Sequence, residues 1–287
     1  MLDQLYQLLD PVAFNLGPFT VRWYGLGYIV GMALGAIIVV RTARRWQVQL
    51  RSDDLLTYVI ASALGIIIGG RLGYILFYGE GYYFEHPDKI LAFSEGGMSF
   101  HGGFIMMCVA IIITTRILKT PFLTLADLLA VAGPIGIFLV RFANFINGEL
   151  WGAPTDLPWG VNFGGAAGDV MRHPTQLYEA CLEGLLLLVV LNVLARRKPP
   201  LPQGSYFGLF LLLYGCFRIA VEFVRQPDAQ IGYLLSTGWL TMGMVLSTPM
   251  VLAGIGLLVY AYRTRRPQAS LVSASADESA ADAAKSV

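Results

Sequence analysis

Three arginines, Arg71, Arg141 and Arg218, stand inside long apolar stretches of this 287-residue chain. A guanidinium at the centre of an inserted helix costs about 2.5–3.5 kcal/mol on insertion scales, so each needs a partner, a wet cavity or an anion. Planar guanidinium forks match phosphate oxygens in pairs, which makes the phosphate of a phospholipid the natural ligand for such a cluster. Helical spacing gathers further polar groups beside two of the three. Arg141, Asn144 and Gly148 fall at i, i+3 and i+7 on one face. Tyr214, Arg218, Glu222 and Arg225 form a second stripe, in which Glu222 is the i+4 partner of Arg218. Glu179 and Glu183 share a face of another helix and can orient arginines or accept hydrogen bonds from a headgroup. His101 is the one histidine inside an apolar span, flanked by Gly96, Gly97, Gly102 and Gly103, which let backbone approach a ligand closely. An imidazole with an ordinary pKa of about 6.5 can take a proton at neutral pH. The competing reading is that these are internal ion pairs locking helix packing, and that Glu183 is a core partner for an arginine.

Other chemistries are poorly served. There is no Gly-x-Ser-x-Gly turn, no His-Glu-x-x-His zinc helix and no nucleotide phosphate loop. An external nucleophile is therefore easier to accommodate than a covalent enzyme intermediate. Cys108, Cys181 and Cys216 are odd in number, widely spaced and set in apolar runs, which suggests neither a disulfide framework nor a metal site. His86 and His173 each precede a proline and read as turn residues. No metal and no cofactor is expected.

The elements that must position these groups are membrane helices. Apolar residues make up 56% of the chain and charged residues 14%, with a mean hydropathy of +0.61, against roughly a quarter charged in soluble domains. A net charge of +1 gives no basic field for nucleic acid. Seven windows approach the roughly 20 apolar residues that span a bilayer: Trp23 to Val40, Leu55 to Tyr78, Gly97 to Thr115, Leu125 to Gly148, Pro174 to Ala195, Gly204 to Val224 and Ser236 to Tyr262. The expected fold is all-α and polytopic, with seven transmembrane helices over residues 1–267, an external arm at about 150–172 and a disordered cytoplasmic tail at 268–287. No basic leader with a small-residue cleavage site precedes the first window, so no cleaved signal peptide is expected. One set of alternate loops holds Arg41, Arg44, Arg45, Arg51, Arg116, Lys119, Arg196, Arg197, Lys198, Arg263, Arg265 and Arg266. The excess of positive charge on that side places the N-terminus outside and the C-terminus in the cytoplasm. With that orientation Arg71, Arg141, Arg218, His101, Glu179 and Tyr24 all fall in the outer half of the bilayer.

Several segments, taken in order, closely resemble bacterial prolipoprotein diacylglyceryl transferases. They are Gly96 to Phe104, Arg141 to Glu149 running on to Trp151-Gly152, His173 to Glu179, and the stripe Tyr214, Arg218, Glu222, Arg225 with Pro227-Asp228. The entry Arg22-Trp23-Tyr24-Gly25 fits as well. The resemblance implies an inner-membrane, multi-pass enzyme with its site toward the periplasm. Such an enzyme moves the diacylglyceryl group of phosphatidylglycerol to the thiol of the lipobox cysteine in a lipoprotein precursor, the first step of lipoprotein maturation. A thioether forms and glycerol phosphate leaves. The partners implied are phosphatidylglycerol, the precursor's signal peptide and the bilayer. The implied catalytic residues are His101, Arg141 and Arg218. Substrate binding falls to Tyr24, Arg141, Asn144, Glu149, Gly152, Glu179, Arg218 and Glu222. The arm between Gly152 and His173 looks short for the family. A lipid or small-anion transporter is the rival from another class; it predicts inverted repeats and helices broken near the midplane, and no repeat is evident.

Overall fold

The computed structural model describes residues 2–16, 19–78, 82–91, 99–227 and 232–271. In chain order the elements are α1 (Leu2–Tyr6), β1 (Val12–Leu16), β2 (Phe19–Arg22), α2 (Trp23–Trp46), α3 (Ser52–Tyr78), α4 (Tyr82–Glu85), α5 (Phe100–Ile117), α6 (Phe122–Ile146), β3 (Val161–Asn162), β4 (Met171–Arg172), α7 (Thr175–Glu179), α8 (Leu187–Leu194), α9 (Ser205–Glu222) and α10 (Met242–Thr264). A π-helical stretch, Ala180–Leu186, joins α7 to α8, so that Thr175–Leu194 runs as one rod. Among the described residues, six helices are long and apolar enough to cross a membrane: α2, α3, α6, the Thr175–Leu194 rod, α9 and α10. Large apolar side chains such as Ile29, Met32, Leu64, Val193 and Leu252 lie exposed along them, as lipid-facing surfaces require. The window Gly97 to Thr115 corresponds to α5. Its apolar stretch among the described residues is Ile105–Ile117, and Gly97 and Met98 lie outside the described residues.

The chain divides into two compact units, Met1–Trp46 with Leu123–Gln268, and Gln47–Phe122 with Ala269–Val287. In the first unit, α6, the Thr175–Leu194 rod, α9 and α10 build the framework. α9 opens at Gly204, whose φ of +86° lies in the left-handed region that glycine tolerates. The backbone N–H groups exposed by that first turn are satisfied from another helix. Asp127 of α6 is fully buried and accepts from Gly204 N at 2.7 Å, Phe207 N at 2.8 Å and Gln268 Nε2 at 2.7 Å. α2 continues through Arg41, Arg44 and Arg45, six residues past its apolar window. Cations in a last turn complement the helix dipole, and Trp46 stacks on Tyr206 at 4.7 Å while donating to Ala195 O.

The stretch expected as an external arm carries short strands and packed side chains. β3 and β4 pair antiparallel, Val161 opposite Arg172, and the Arg172 guanidinium lies 4.3 Å from the Trp151 ring. α1 closes over it: Tyr6 meets Phe145 and Phe163 edge-on at 5.3 and 4.9 Å, and Asp3 accepts from Asn162 N. The hairpin β1–β2 leads directly into α2.

In the second unit α3 lies against α5. A methyl on Gly73 would come within 2.8 Å of Gly102 Cα, and one on Gly65 within 2.8 Å of Met106 O, so small residues set the distance between the two backbones. Ser99 caps α5 and donates its N–H to Gly70 O. Arg71 is buried and donates to Ile90 O and Lys89 O at 2.7 and 2.6 Å, its guanidinium 5.0 Å from the Tyr83 ring. Chain contacts also reach beyond the boundary expected for the tail. Gln268 bonds Asp127 and Leu201 O, and buried Leu271 donates to Gln49 O. Residues 272–287 lie outside the described residues.

Candidate active site

The first unit brings most of the expected residues to one place. Glu179, at the end of α7 and fully buried, is the hub. Its Oε2 lies 3.2 Å from Arg141 Nε, and its Oε1 lies 3.1 Å from Arg218 Nη1 and 3.4 Å from Arg225 Nη1. Glu222 takes Arg218 Nη2 at 2.5 Å, the pair expected from the i+4 spacing, and Arg225 Nη1 at 3.7 Å. Glu183 completes the set at 3.6 Å from Arg141 Nη2. Tyr214 lies within electrostatic reach of Arg141. Three guanidinium groups thus face three carboxylates. Buried ions persist only when paired, and this mutual pairing is what allows the cluster to be buried.

Local backbone features create the geometry. Glu183 lies within the π-helical stretch, a widened turn of a kind that recurs at functional sites. Gly184 follows it. A methyl there would fall 2.7 Å from Phe138 Cα, so only glycine allows the rod to approach α6 this closely, one turn before Arg141. On the other side, a methyl on Gly243 would meet the Glu222 carboxylate at 2.5 Å. Thr241, the N-cap of α10, accepts from Met244 N and donates its hydroxyl to Glu222 Oε2.

Asn144 and Glu149 form a second layer at the end of α6. Asn144 Nδ2 donates to Glu149 Oε1 at 2.7 Å, Asn147 Nδ2 to the same oxygen at 3.3 Å, and Gln176 Nε2 to Glu149 O at 2.6 Å. Glu149 is exposed whereas Asn144 is buried. Tyr24, in the first turn of α2, bonds Tyr28 hydroxyl to hydroxyl at 3.0 Å and lies within electrostatic reach of Glu149 and Arg141. Gly152 sits where a side chain cannot. Its N–H donates to His173 O, the next N–H goes to Val224 O, and a Cβ would come within 2.6 Å of His173 Cβ. Close backbone passage accounts for this glycine.

His101 lies in the first turn of α5, in the second unit; its side chain lies outside the described residues, as do Gly96 to Met98 and Asp228. Arg71 belongs to that second unit too, with its own local partners. Arg225 is absent from the site residues that the resemblance implies, although its spacing places it in the stripe with Arg218 and Glu222. In the fold it is mostly buried, and burial together with the Arg218 cation lowers its pKa from the usual arginine value, while Glu179 and Glu222 oppose that. The stripe with Arg218 and Glu222 already carried the signal. Thr241 and Gly243 had none, because nothing in a Thr-Met-Gly run says which carboxylate it will face.

Residues 11–260 match the family model of prolipoprotein diacylglyceryl transferase. Among curated proteins, the chain is 50% identical to the phosphatidylglycerol–prolipoprotein diacylglyceryl transferase of Methylococcus capsulatus over 264 residues, which is 91% of this chain and 98% of that one. The proteins of that name from Methylocella silvestris and Geobacter sulfurreducens are 46% and 48% identical, each over 90% of this chain and 96% and 97% of their own. With the match spanning nearly all of both chains, and the arginine cluster inside it, the chain belongs to the prolipoprotein diacylglyceryl transferase family.

Proposed function

We propose that the protein transfers the diacylglyceryl group of phosphatidylglycerol to the thiol of the lipobox cysteine in a lipoprotein precursor. The sulfur bonds the glyceryl carbon, the carbon–oxygen bond to phosphate breaks, and the electron pair leaves with glycerol phosphate. The thiol proton passes to a base. The observation that carries this reading is the meeting of Arg141, Arg218 and Arg225 on Glu179. A guanidinium has five N–H donors, more than the carboxylates take, so Arg141 and Arg218 have donors for phosphate oxygens. They hold the lipid phosphate and stabilise the charge that grows on it as it departs. Glu179 and Glu222 keep the two forks oriented. Asn144, Glu149 and Tyr24, with the Gly152 crossing beside them, hold the glycerol headgroup. His101 is the base for a cysteine whose solution pKa is near 8.5.

In this reading α5 is a seventh span, the N-terminus faces the periplasm, and the C-terminus with residues 272–287 is cytoplasmic. The site then opens toward the periplasmic face of the inner membrane. The placement of Arg and Lys in alternate loops supports that orientation. The test is purified protein with phosphatidylglycerol and a short lipobox peptide. Thioether peptide and free glycerol phosphate are expected in equal amounts, and neither with a Cys-to-Ser peptide; no thioether under conditions that keep the protein folded would refute the reading. For His101, the His101→Gln enzyme is expected to lose rate and the rise of rate with pH; an unchanged rate and profile would remove it as the base.

A further inference from the structure

Arg218 is aimed by Glu222, and Glu222 is in turn held by groups that no part of the reaction scheme above uses. Its Oε2 accepts the Thr241 hydroxyl, which leaves Oε1 to take Arg218 Nη2 at 2.5 Å and Arg225 Nη1 at 3.7 Å. Thr241 is 2% exposed and Glu222 5%, so water does not substitute for either partner. The same hydroxyl accepts from Met244 N, which fixes its rotamer and turns its proton toward the carboxylate. Two residues on, Gly243 leaves the volume in which the carboxylate lies: a methyl would be 2.5 Å from Glu222 Cδ and 2.6 and 2.8 Å from its two oxygens. Ser247 Oγ donates to Gly243 O at 2.7 Å and ties that turn down. The amino end of α10 therefore forms a seat made for one carboxylate, and a negative charge is favoured at that end of a helix.

We propose that Thr241 and Gly243 are positioning residues for the transfer reaction, acting through Glu222 to set the direction of the Arg218 fork. This rests on the function proposed above. Freed from Thr241, the Glu222 carboxylate can rotate, and Arg218 then presents its donors to the phosphate at the wrong angle. Because the grip tightens as phosphate departs, the loss falls mainly on kcat and less on the KM for phosphatidylglycerol.

The test is a double-mutant cycle on the purified full-length protein. Hydrogen bonds to charged groups are worth enough that Thr241→Val is expected to lower kcat/KM by about 10-fold or more, with Thr241→Ser within about 3-fold of wild type because it keeps the hydroxyl. Gly243→Ala is expected to resemble Thr241→Val. In a Glu222→Gln background, Thr241→Val should cost less than about 2-fold more, since a residue acting through a neighbour shows strong coupling to it. A purely structural cap would give equal losses in both backgrounds and would overturn the proposal. Where Glu222→Gln leaves too little steady-state turnover, the same cycle is read on the single-turnover rate of thioether formation; additive losses there overturn the proposal equally. Wild-type protein that forms no thioether would refute the proposed function itself, whereas wild-type turnover with additive losses would remove the role of Thr241 alone.

Discussion

Gly184→Ala is the smallest change that should separate the carboxylates of the rod from the arginine of α6. The added methyl would sit 2.7 Å from both Phe138 Cα and Cβ, and 2.9 Å from Phe138 N. Carbon atoms pack at about 3.5–4.0 Å, so an overlap of about 1 Å must be relieved, and the obstacle is backbone and cannot rotate away. The rod has to move off α6. Arg141 follows Phe138 by three residues on the same helix, so the displacement lengthens the Arg141 pairs with Glu179 and Glu183 from 3.2 and 3.6 Å. Overpacking of this kind costs about 1–3 kcal/mol of stability, and a misplacement of about 1 Å costs on the order of 10²-fold in rate. Thioether formation by the purified variant should therefore fall by about that factor, with a lower midpoint of thermal inactivation. Gly256→Ala in α10 is the control. A methyl there has nothing within 4 Å, so activity should stay within about 2-fold and stability should be unchanged or raised by less than about 1 kcal/mol. Wild-type kcat in Gly184→Ala would refute the claim that close helix approach sets the cluster's geometry.

Two further substitutions probe other parts of the fold. Asp127→Asn replaces one acceptor with a donor facing N–H groups at the start of α9, so it should cost about 1–3 kcal/mol in thermal stability while leaving kcat of the folded fraction near wild type, because Arg218 lies at the other end of that helix. Burial holds the His173 imidazole below its usual pKa; the unfolded chain therefore binds this proton more readily. Stability from this group is present above about pH 6.5 and is lost as pH falls through the lowered folded value. His173→Gln should flatten that part of a stability-against-pH curve, and an unchanged acid slope would contradict it.

The sequence made the long helices legible because apolar runs of bilayer length have few other uses. The window Leu55 to Tyr78 nearly coincides with α3, and Pro174 to Ala195 with the Thr175–Leu194 rod. Its errors came where local pattern is silent. α10 begins at Met242 instead of Ser236 because Thr241 caps it there, and a cap six residues into an apolar stretch leaves hydropathy unchanged. The packed arm depends on Tyr6 and Asp3, about 150 residues away in sequence. Asp127 escaped notice as a site because a lone acid in an apolar helix says nothing of the helix start it satisfies. The stripe of Arg218, Glu222 and Arg225 was readable from spacing, and so was the shared face of Glu179 and Glu183. That these five and Arg141 form one network centred on Glu179 required the fold, since it depends on how closely Gly184 lets two helices approach.

The proposed reaction depends on guanidinium forks holding the phosphate of phosphatidylglycerol, and Arg141→Lys is the sharpest probe of that grip. Lysine keeps the charge and most of the length but cannot offer two parallel donors. Thioether formation from phosphatidylglycerol and a lipobox peptide, measured on equal amounts of folded protein, should fall by about 10²-fold or more, the loss expected when a transition-state donor is removed. Near-normal thioether formation by Arg141→Lys would contradict the phosphate grip.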